Sequence, residues 1–383
     1  MAKLLEITGE ALAGEWGTDD DTGKGIPVLR TTNFTNEGVV DYSNVVTRTI
    51  IKKNIEEKYL RPGDIIIEKS GGSDKQPVGR VIYFDGPSNT YLFNNFTGLL
   101  RVKEQTKWFP KYIFYSLYNN YQRGGTRAFE NKTTGLHNLK TDDYVSRYEI
   151  VETTYNKQVE ICVHLDKLYS IIKMREEELG KLDDLIKARF VEMFCNKYPT
   201  VVLGDIISTT SGGTPSKSHP EYYEGGTIPW LTSGEVNAGV IYTVKNRITK
   251  QGMDNSSAKM IPQNSVVIAM YGATAGVTGL LKVKTTTNQA VCSLLPNERF
   301  EPEYLYYAVG LKKDWMISQC QGGGQPNISQ GIIKNMELID APKDMQMKFT
   351  MFVQQVDKSK VVVQQALEKA QLLFDSLMQK YFG

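Results

Sequence analysis

The chain reads nearly the same way twice, and that limits its folds more than any other feature. From Ile26 it runs Ile26-Pro27-Val28, then Pro62-Gly63-Asp64-Ile65-Ile66-Ile67, Val78-Gly79-Arg80, Asn94-Asn95-Phe96 and Pro110 followed by aromatic residues. From Ile228 the order returns: Ile228-Pro229-Trp230, Pro262-Gln263-Asn264-Ser265-Val266-Val267, Ala275-Gly276-Val277, Asn288-Gln289-Ala290, and Pro302 with Tyr304, Tyr306 and Tyr307. Each pass ends in a long stretch of helical periodicity. The offset drifts only from about 202 to about 188 residues, as small changes in loop length would produce. Solenoid repeats are roughly 20–50 residues long, so this is a duplicated domain with a helix rather than a solenoid. Two similar modules at a set distance suggest a ruler that reads two separated sites.

The spacing implies four segments. Residues 1–155 form a mixed domain of short β-type runs (Val39-Val40, Asp64 to Glu68, Val78 to Phe84, Leu99 to Val102), with an aromatic helix after Pro110. Residues 156–199 change period: Ile161, Leu165, Leu168, Ile172, Leu179, Leu182, Ile186 and Met193 fall at alternating four and three spacing, with Arg175 and Arg189 at two seam positions. Residues 200–344 repeat the mixed domain. Residues 345–383 repeat the helix, with a seam of Phe349, Val353, Val356, Lys360, Val363, Leu367, Ala370, Phe374, Leu377 and Tyr381. Such helices pack most simply on each other, antiparallel, rather than each docking on its own domain. The expected class is α+β: two similar mixed domains separated by two long antiparallel coiled-coil helices.

Charge argues about partners. Lys+Arg against Asp+Glu is 20 to 20 in residues 1–155, 8 to 8 in 156–199, 12 to 12 in 200–344 and 5 to 3 in 345–383. No segment is a basic arm. A chain that held nucleic acid alone through many phosphates would carry more positive charge, so the grip would come from a local face or from partner subunits. No apolar run approaches the ~20 residues of a membrane span, and the N-terminus has no signal-peptide core. The expectation is a cytoplasmic protein without a membrane partner. Cys162, Cys195, Cys292 and Cys320 have no CxxC spacing and read as buried free thiols. His137, His164 and His219 lie far apart, so no metal site is expected.

Two runs imitate catalytic motifs. Gly17 to Gly25 resembles a phosphate loop, but five residues separate Gly17 from Gly23, Gly25 stands where a magnesium-binding hydroxyl belongs, and three aspartates would repel a phosphate. A surface turn explains it better. Asp64 to Lys69 resembles a nuclease strand, yet Lys69 adjoins Glu68 and so points to the opposite face, and the second pass lacks the acids. A core strand explains that run. No catalytic constellation is found.

What remains are loops whose side chains suit base edges and phosphates. In the first pass they supply Arg30, Thr31, Asn33, Ser73, Lys75, Gln76, Arg123 and Arg127. In the second they supply Thr214, Ser216, Thr232, Ser233, Tyr271, Thr274, Gln325 and Asn327. Arg suits guanine, Asn and Gln suit adenine, and Ser or Thr reaches either bases or phosphates. Any one of them also fits a solvated turn; their recurrence at matching places is the stronger signal.

Over 200–383 these residues resemble the specificity (S) subunits of type I restriction-modification systems. The resemblance rests on Leu203-Gly204-Asp205-Ile206, Ser211-Gly212-Gly213-Thr214-Pro215-Ser216, Ile228-Pro229-Trp230, Ser233-Gly234-Glu235, Asn288-Gln289-Ala290, Gly323-Gly324-Gln325-Pro326-Asn327-Ile328 and the terminal helix. The first half is similar more loosely: it lacks the Gly-Gly-Thr-Pro-Ser opening and has Thr133-Thr134-Gly135-Leu136-His137-Asn138-Leu139 where the second has Gln-Pro-Asn-Ile. The resemblance implies two target recognition domains, each reading half of a bipartite double-stranded DNA sequence, and no catalysis by the chain itself. It implies two modification (methyltransferase) subunits that bind S-adenosylmethionine and methylate adenine, and restriction subunits that use ATP and Mg. This chain would bind no cofactor. A coiled-coil adaptor with two ligand- or protein-binding modules would account for the repeat and the helices equally well; it predicts no DNA binding even beside a methyltransferase.

Overall fold

The computed structural model describes residues 1–53, 55–133, 136–320 and 326–383. The chain forms two compact units: Met1–Glu176 with Gln365–Gly383, and Glu177–Gln364. Each has its own mixed α and β core.

The Ile65-Ile66-Ile67 run explains the first core. It lies in the strand Ile65–Glu68, inside a four-stranded antiparallel sheet between Thr97–Leu100 and Val81–Tyr83, with Leu12–Ala13 at one edge. Side chains alternate across a strand. Ile65, Ile67 and Leu100 therefore join the core that covers the helix Pro110–Gln122, with Tyr112, Ile113 and Leu117. Ile66, Ile82 and Leu99 face the other way, onto Leu29, Phe34, Phe84 and Phe93. A strand buried on both faces reads as an unbroken apolar run, and so it does here. Pro110 opens the helix at its first turn, where a missing N–H costs nothing.

The second unit follows the same plan. Val266 and Ile268 of the strand Val266–Ala269 face one core with Leu280, Cys292 and Leu294, while Val267 and Ala269 face another with Leu281 and Val291. Its sheet runs Thr209–Ser211, Val291–Leu294, Val266–Ala269, Thr278–Leu281, Val240–Ile241. In each unit a second sheet holds a parallel pair: Ile26–Leu29 beside Leu92–Phe93, and Ile228–Leu231 beside Thr285–Thr287.

The helical periods become two 40-residue helices, Tyr155–Phe194 and Lys343–Phe382. In the first unit Ile161, Leu165 and Ile172 share a core with Ala370, Phe374 and Met378. The start of one helix meets the end of the other, so they are antiparallel there. In the second unit Ile186, Phe190, Met193 and Phe194 meet Phe349, Val353 and Val356, again antiparallel. Phe190 and Phe349 stand edge to face at 5.3 Å.

The structure differs from the sequence reading in detail. The buried position near Arg189 is its neighbour Phe190; Arg189 pairs with Glu192 and lies over Phe352, because the aromatic core of the unit claims the larger apolar side chain. After Phe374 both Leu377 and Met378 pack on the core, and Met378 is the more deeply buried. Val39-Val40 is only a single bridge, Phe34 to Val40, with Val39 exposed. All four cysteines are free, but Cys195 and Cys320 are only half-buried. Burial raises the thiol pKa of Cys292 to about 12.

Candidate nucleic-acid interface

The two parallel pairs end in the same device. After Leu92–Phe93 the chain makes a tight turn: Thr97 donates its amide (3.1 Å) and its hydroxyl (2.8 Å) to the Asn94 carbonyl, leaving Asn95 and Phe96 at the tip. After Thr285–Thr287 the Val291 amide donates to the Asn288 carbonyl at 3.3 Å, leaving Gln289 and Ala290 at the tip. Both turns are tied to the neighbouring strand: Asn94 donates to the Leu29 carbonyl at 2.9 Å and Asn288 to the Leu231 carbonyl at 3.0 Å. Both are also tied on the other side. Lys69 donates to the Phe96 carbonyl at 2.7 Å, and Met270 to the Ala290 carbonyl at 2.8 Å.

A glycine passes close to each pair. The Glu15 amide, after Gly14, donates to the Phe93 carbonyl, and the Gly213 amide, after Gly212, to the Thr287 carbonyl. A Cβ on Gly14 would lie 2.1 Å from the Asn94 carbonyl oxygen, and one on Gly212 would lie 1.8 Å from that of Thr287. Only glycine lets the backbone approach so closely. A third segment closes the cluster. Leu139 donates to the Lys69 carbonyl and Ile328 to that of Met270, each at 2.9 Å, so Asn138 pairs with Ser70 and Asn327 with Tyr271.

In the second unit these bonds gather most of the side chains expected from sequence. Thr214 donates its hydroxyl to the Gln289 side chain, Thr232 and Ser233 follow the strand that anchors the turn, and Tyr271 and Asn327 face each other across their bridge. Tyr271 is 40% exposed and Asn327 is exposed. Thr274 ends the short helical turn Gly272–Thr274 beside them. Ser216 lies exposed further along its loop, bonded to Ser218. Gln325 lies outside the described residues, as do Thr134 and Gly135 of the matching stretch.

Glu235 organises the start of this face. Its carboxylate accepts from the Thr232 amide and hydroxyl, the Lys245 amide at 2.9 Å and the Asn246 side chain at 3.0 Å. Burial alone would raise its pKa, but these donors together hold it below the usual value.

The first unit has the same framework with different side chains. Asn33 stands where Glu235 does. It is 2% exposed: its carbonyl accepts from the Arg30 amide, and its amide donates to the Asp41 and Asn44 carbonyls. Asn33 holds the loop from inside. Arg30 is half-buried, with Nη2 on the Asn44 carbonyl, and the Thr31 carbonyl accepts from Arg80. Ser73 and Gln76 close an exposed turn through two bonds, Ser73 N to Gln76 O at 2.6 Å and Gln76 N to Ser73 Oγ at 3.1 Å; Lys75 projects between them, exposed. Arg127 reaches the Asp74 carbonyl of that turn at 3.4 Å. Arg123 caps the helix Pro110–Gln122, and its Nη1 lies near Gly383.

The acids that imitated a nuclease are structural. Arg101 grips both oxygens of Asp64 at 2.7 and 2.6 Å. Burial raises the Glu68 carboxyl, and Arg80 opposes it with an ion pair at 3.3 Å. Asp20 gathers the Thr22 amide and hydroxyl and the Gly25 amide, which makes the Gly17 to Gly25 run a side-chain-locked turn. Among the described residues no group of three His, Cys, Asp or Glu could hold a metal, and no helix is long and apolar enough to cross a membrane.

Sequence reasoning left four turn residues out of the candidate set: Asn95, Phe96, Gln289 and Ala290. The signal was available, since Asn94-Asn95-Phe96 and Asn288-Gln289-Ala290 are among the landmarks of the repeat.

Residues 196–371 match the family model of the type I restriction modification DNA specificity domain. The chain is 32% identical over 111 residues to a type I restriction enzyme specificity subunit of Escherichia coli, covering 28% of this chain and 28% of that protein. It is 28% identical over 148 residues to one of Methanocaldococcus jannaschii, covering 37% of this chain and 34% of that one. These alignments span about a third of the relatives' own length. Two solved structures match the whole chain in fold at 15% identity. One is the S subunit of a type I restriction-modification system from M. genitalium, with a TM-score of 0.56 over 95% of its length. The other comes from work on complex assembly and conformational transition of the type I R-M system, with a TM-score of 0.60 over 96% of its length.

Proposed function

Because the chain belongs to the specificity-subunit family of type I restriction-modification systems, we propose that it reads a bipartite double-stranded DNA sequence and carries no catalytic step of its own. In this reading residues 1–155 and 200–344 are two target recognition domains, one for each half-site. Residues 156–199 and 345–383 are the long helices that set the spacing and present surfaces to two modification subunits, with restriction subunits joining the same complex in the cytoplasm. S-adenosylmethionine belongs to the modification subunits, and ATP and Mg to the restriction subunits.

One observation carries the reading. The same turn, glycine approach and cross-bridge are built twice on one backbone plan, while the side chains they present differ: Asn95-Phe96 against Gln289-Ala290, and Ser70 against Tyr271. A constant framework with variable tips is what two readers of different sequences need. The near-neutral charge balance agrees with a chain whose partners supply much of the phosphate grip.

The test is single-molecule modification sequencing of host DNA, with and without this chain, beside its neighbouring methyltransferase. The expected result is a bipartite adenine-methylated motif that requires the chain. No chain-dependent motif, with the methyltransferase expressed and bound, would overturn the proposal and favour a non-DNA adaptor.

A further inference from the structure

The two turn tips differ most at Phe96. Phe96 is 52% exposed, whereas Ala290, at the same point of the other turn, is half-buried. The exposure is not the result of a loose loop. Its carbonyl accepts from the Lys69 amide at 2.7 Å and the Ser70 amide at 3.3 Å, and the turn beneath it is closed twice by Thr97, which is fully buried. The backbone that presents this ring is therefore fixed on both sides. Ser70 leads through Gly71 and Gly72 into the exposed Ser73 to Gln76 turn, and Asn95, also exposed, immediately precedes Phe96 in the tip. A rigid, exposed aromatic next to an amide side chain has a specific counterpart in the major groove. The thymine 5-methyl group is the apolar feature there, and an aromatic ring contacts it; Asn suits the adenine edge.

We propose that Phe96 is a specificity-determining residue that contacts a thymine methyl in the half-site read by the first unit, with Asn95 beside it on an adenine edge. This rests on the proposed reading of DNA. Ala290, half-buried, presents no exposed ring at the equivalent place in the second unit.

The experiment uses the full chain assembled with its modification subunits, on oligonucleotides carrying the motif found by modification sequencing. Each thymine in either half-site is replaced in turn by uracil, which removes only the 5-methyl group. One replacement, confined to one half-site, is expected to weaken binding about fourfold, the worth of one buried methyl. Phe96→Ala is expected to bind the thymine and uracil versions of that site equally, and Phe96→Leu to keep part of the preference. The coupling between the two changes isolates the contact. Phe96→Ala that still discriminates thymine from uracil, or wild type that discriminates at no position, overturns the assignment. So does a Phe96→Ala loss that is equal on both versions, which would mark a contact with DNA backbone or with a partner subunit. A motif that is chain-dependent but methyl-insensitive sinks this inference alone, whereas the absence of any chain-dependent motif sinks the reading beneath it.

Discussion

Gln158 and Gln346 make the same three hydrogen bonds at the start of the two long helices. Gln158 Oε1 accepts from the Phe109 amide at 2.8 Å, and its Nε2 donates to the Lys107 and Thr153 carbonyls at 3.1 and 3.0 Å. Gln346 Oε1 accepts from the Glu301 amide at 2.8 Å, and its Nε2 donates to the Arg299 and Ala341 carbonyls at 3.1 and 2.8 Å. Each is 1% exposed. Each fastens its helix to the residues just before the aromatic helix of its unit, Pro110–Gln122 or Pro302–Gly310, whose own Tyr112 or Tyr304 hydroxyl donates to the Val151 or Ile339 carbonyl. The duplication thus extends to a buried polar clamp.

Gln158→Ala and Gln346→Ala should each destabilise their own unit. Either change leaves one buried amide and two carbonyls short of a partner, and a single unsatisfied buried group costs about 1–3 kcal/mol. Urea unfolding should record a loss in that range or above. Hydrogen exchange should localise it: faster at Phe109 for the first variant and at Glu301 for the second. A loss below about 0.5 kcal/mol would mean that water replaces the clamp.

Gly212→Ala should damage the second unit's candidate face. The new Cβ would fall on the Thr287 carbonyl, so the loop that carries Thr214 must move. Forced overpacking of this kind costs roughly 1–3 kcal/mol. Under the proposed function, recognition of one half-site should relax while the other is unchanged. Gly14→Ala should do the converse. Modification sequencing of the two variants checks both, and a uniform loss over both half-sites would show that the glycines serve overall folding.

Much of this fold was legible in the sequence, because its strongest signals are local and repeated. The isoleucine run at 65–67 announces a strand buried on both faces. Alternating four and three spacing announces the long helices. The candidate face was less legible. Arg30 and Asn33 share one polar segment, but Asn33 turns inward, because the carbonyls of Asp41 and Asn44 need donors that only the folded loop brings near. Arg123 and Arg127 sit four residues apart, yet only Arg127 reaches the Ser73 to Gln76 turn. Phe190 displaced Arg189 from the seam through aromatic packing with Tyr304 and Phe349, residues more than a hundred positions away. Such choices depend on tertiary partners that no local pattern encodes.

The loop around Glu235 should loosen in acid. Its folded pKa lies below its unfolded value, so the folded loop prefers the carboxylate. The stability this contributes is complete above the ordinary glutamate pKa of ~4.3 and is lost as pH falls through the lower folded value. Unfolding of wild type and Glu235→Gln, compared from neutral pH downward, should give a difference that shrinks below about pH 4. A difference that stays constant or grows would mean that the carboxylate is not the species the Lys245 and Thr232 amides hold.

The spacing role of the long helices can be tested where each passes from one unit to the other, at Glu176/Glu177 and Gln364/Gln365. Between Ile172 and Ile186 no residue of the first helix is buried, and a Cβ on Gly180 would meet open space. In the second helix Val363 is the buried residue between Val356 and Ala370. A matched insert of four residues, after Glu176 and after Gln364, falls at the junction of the two units and so leaves the contacts within each unit intact. It adds ~6 Å at 1.5 Å per residue and turns the helix by roughly 40°. At the ~3.4 Å rise of a base pair that is one to two base pairs. If the helices set the distance between half-sites, modification sequencing should return the same two half-sites with a spacer longer by that amount. An unchanged spacer with full methylation would remove the ruler from the proposed function while leaving the two readers in place.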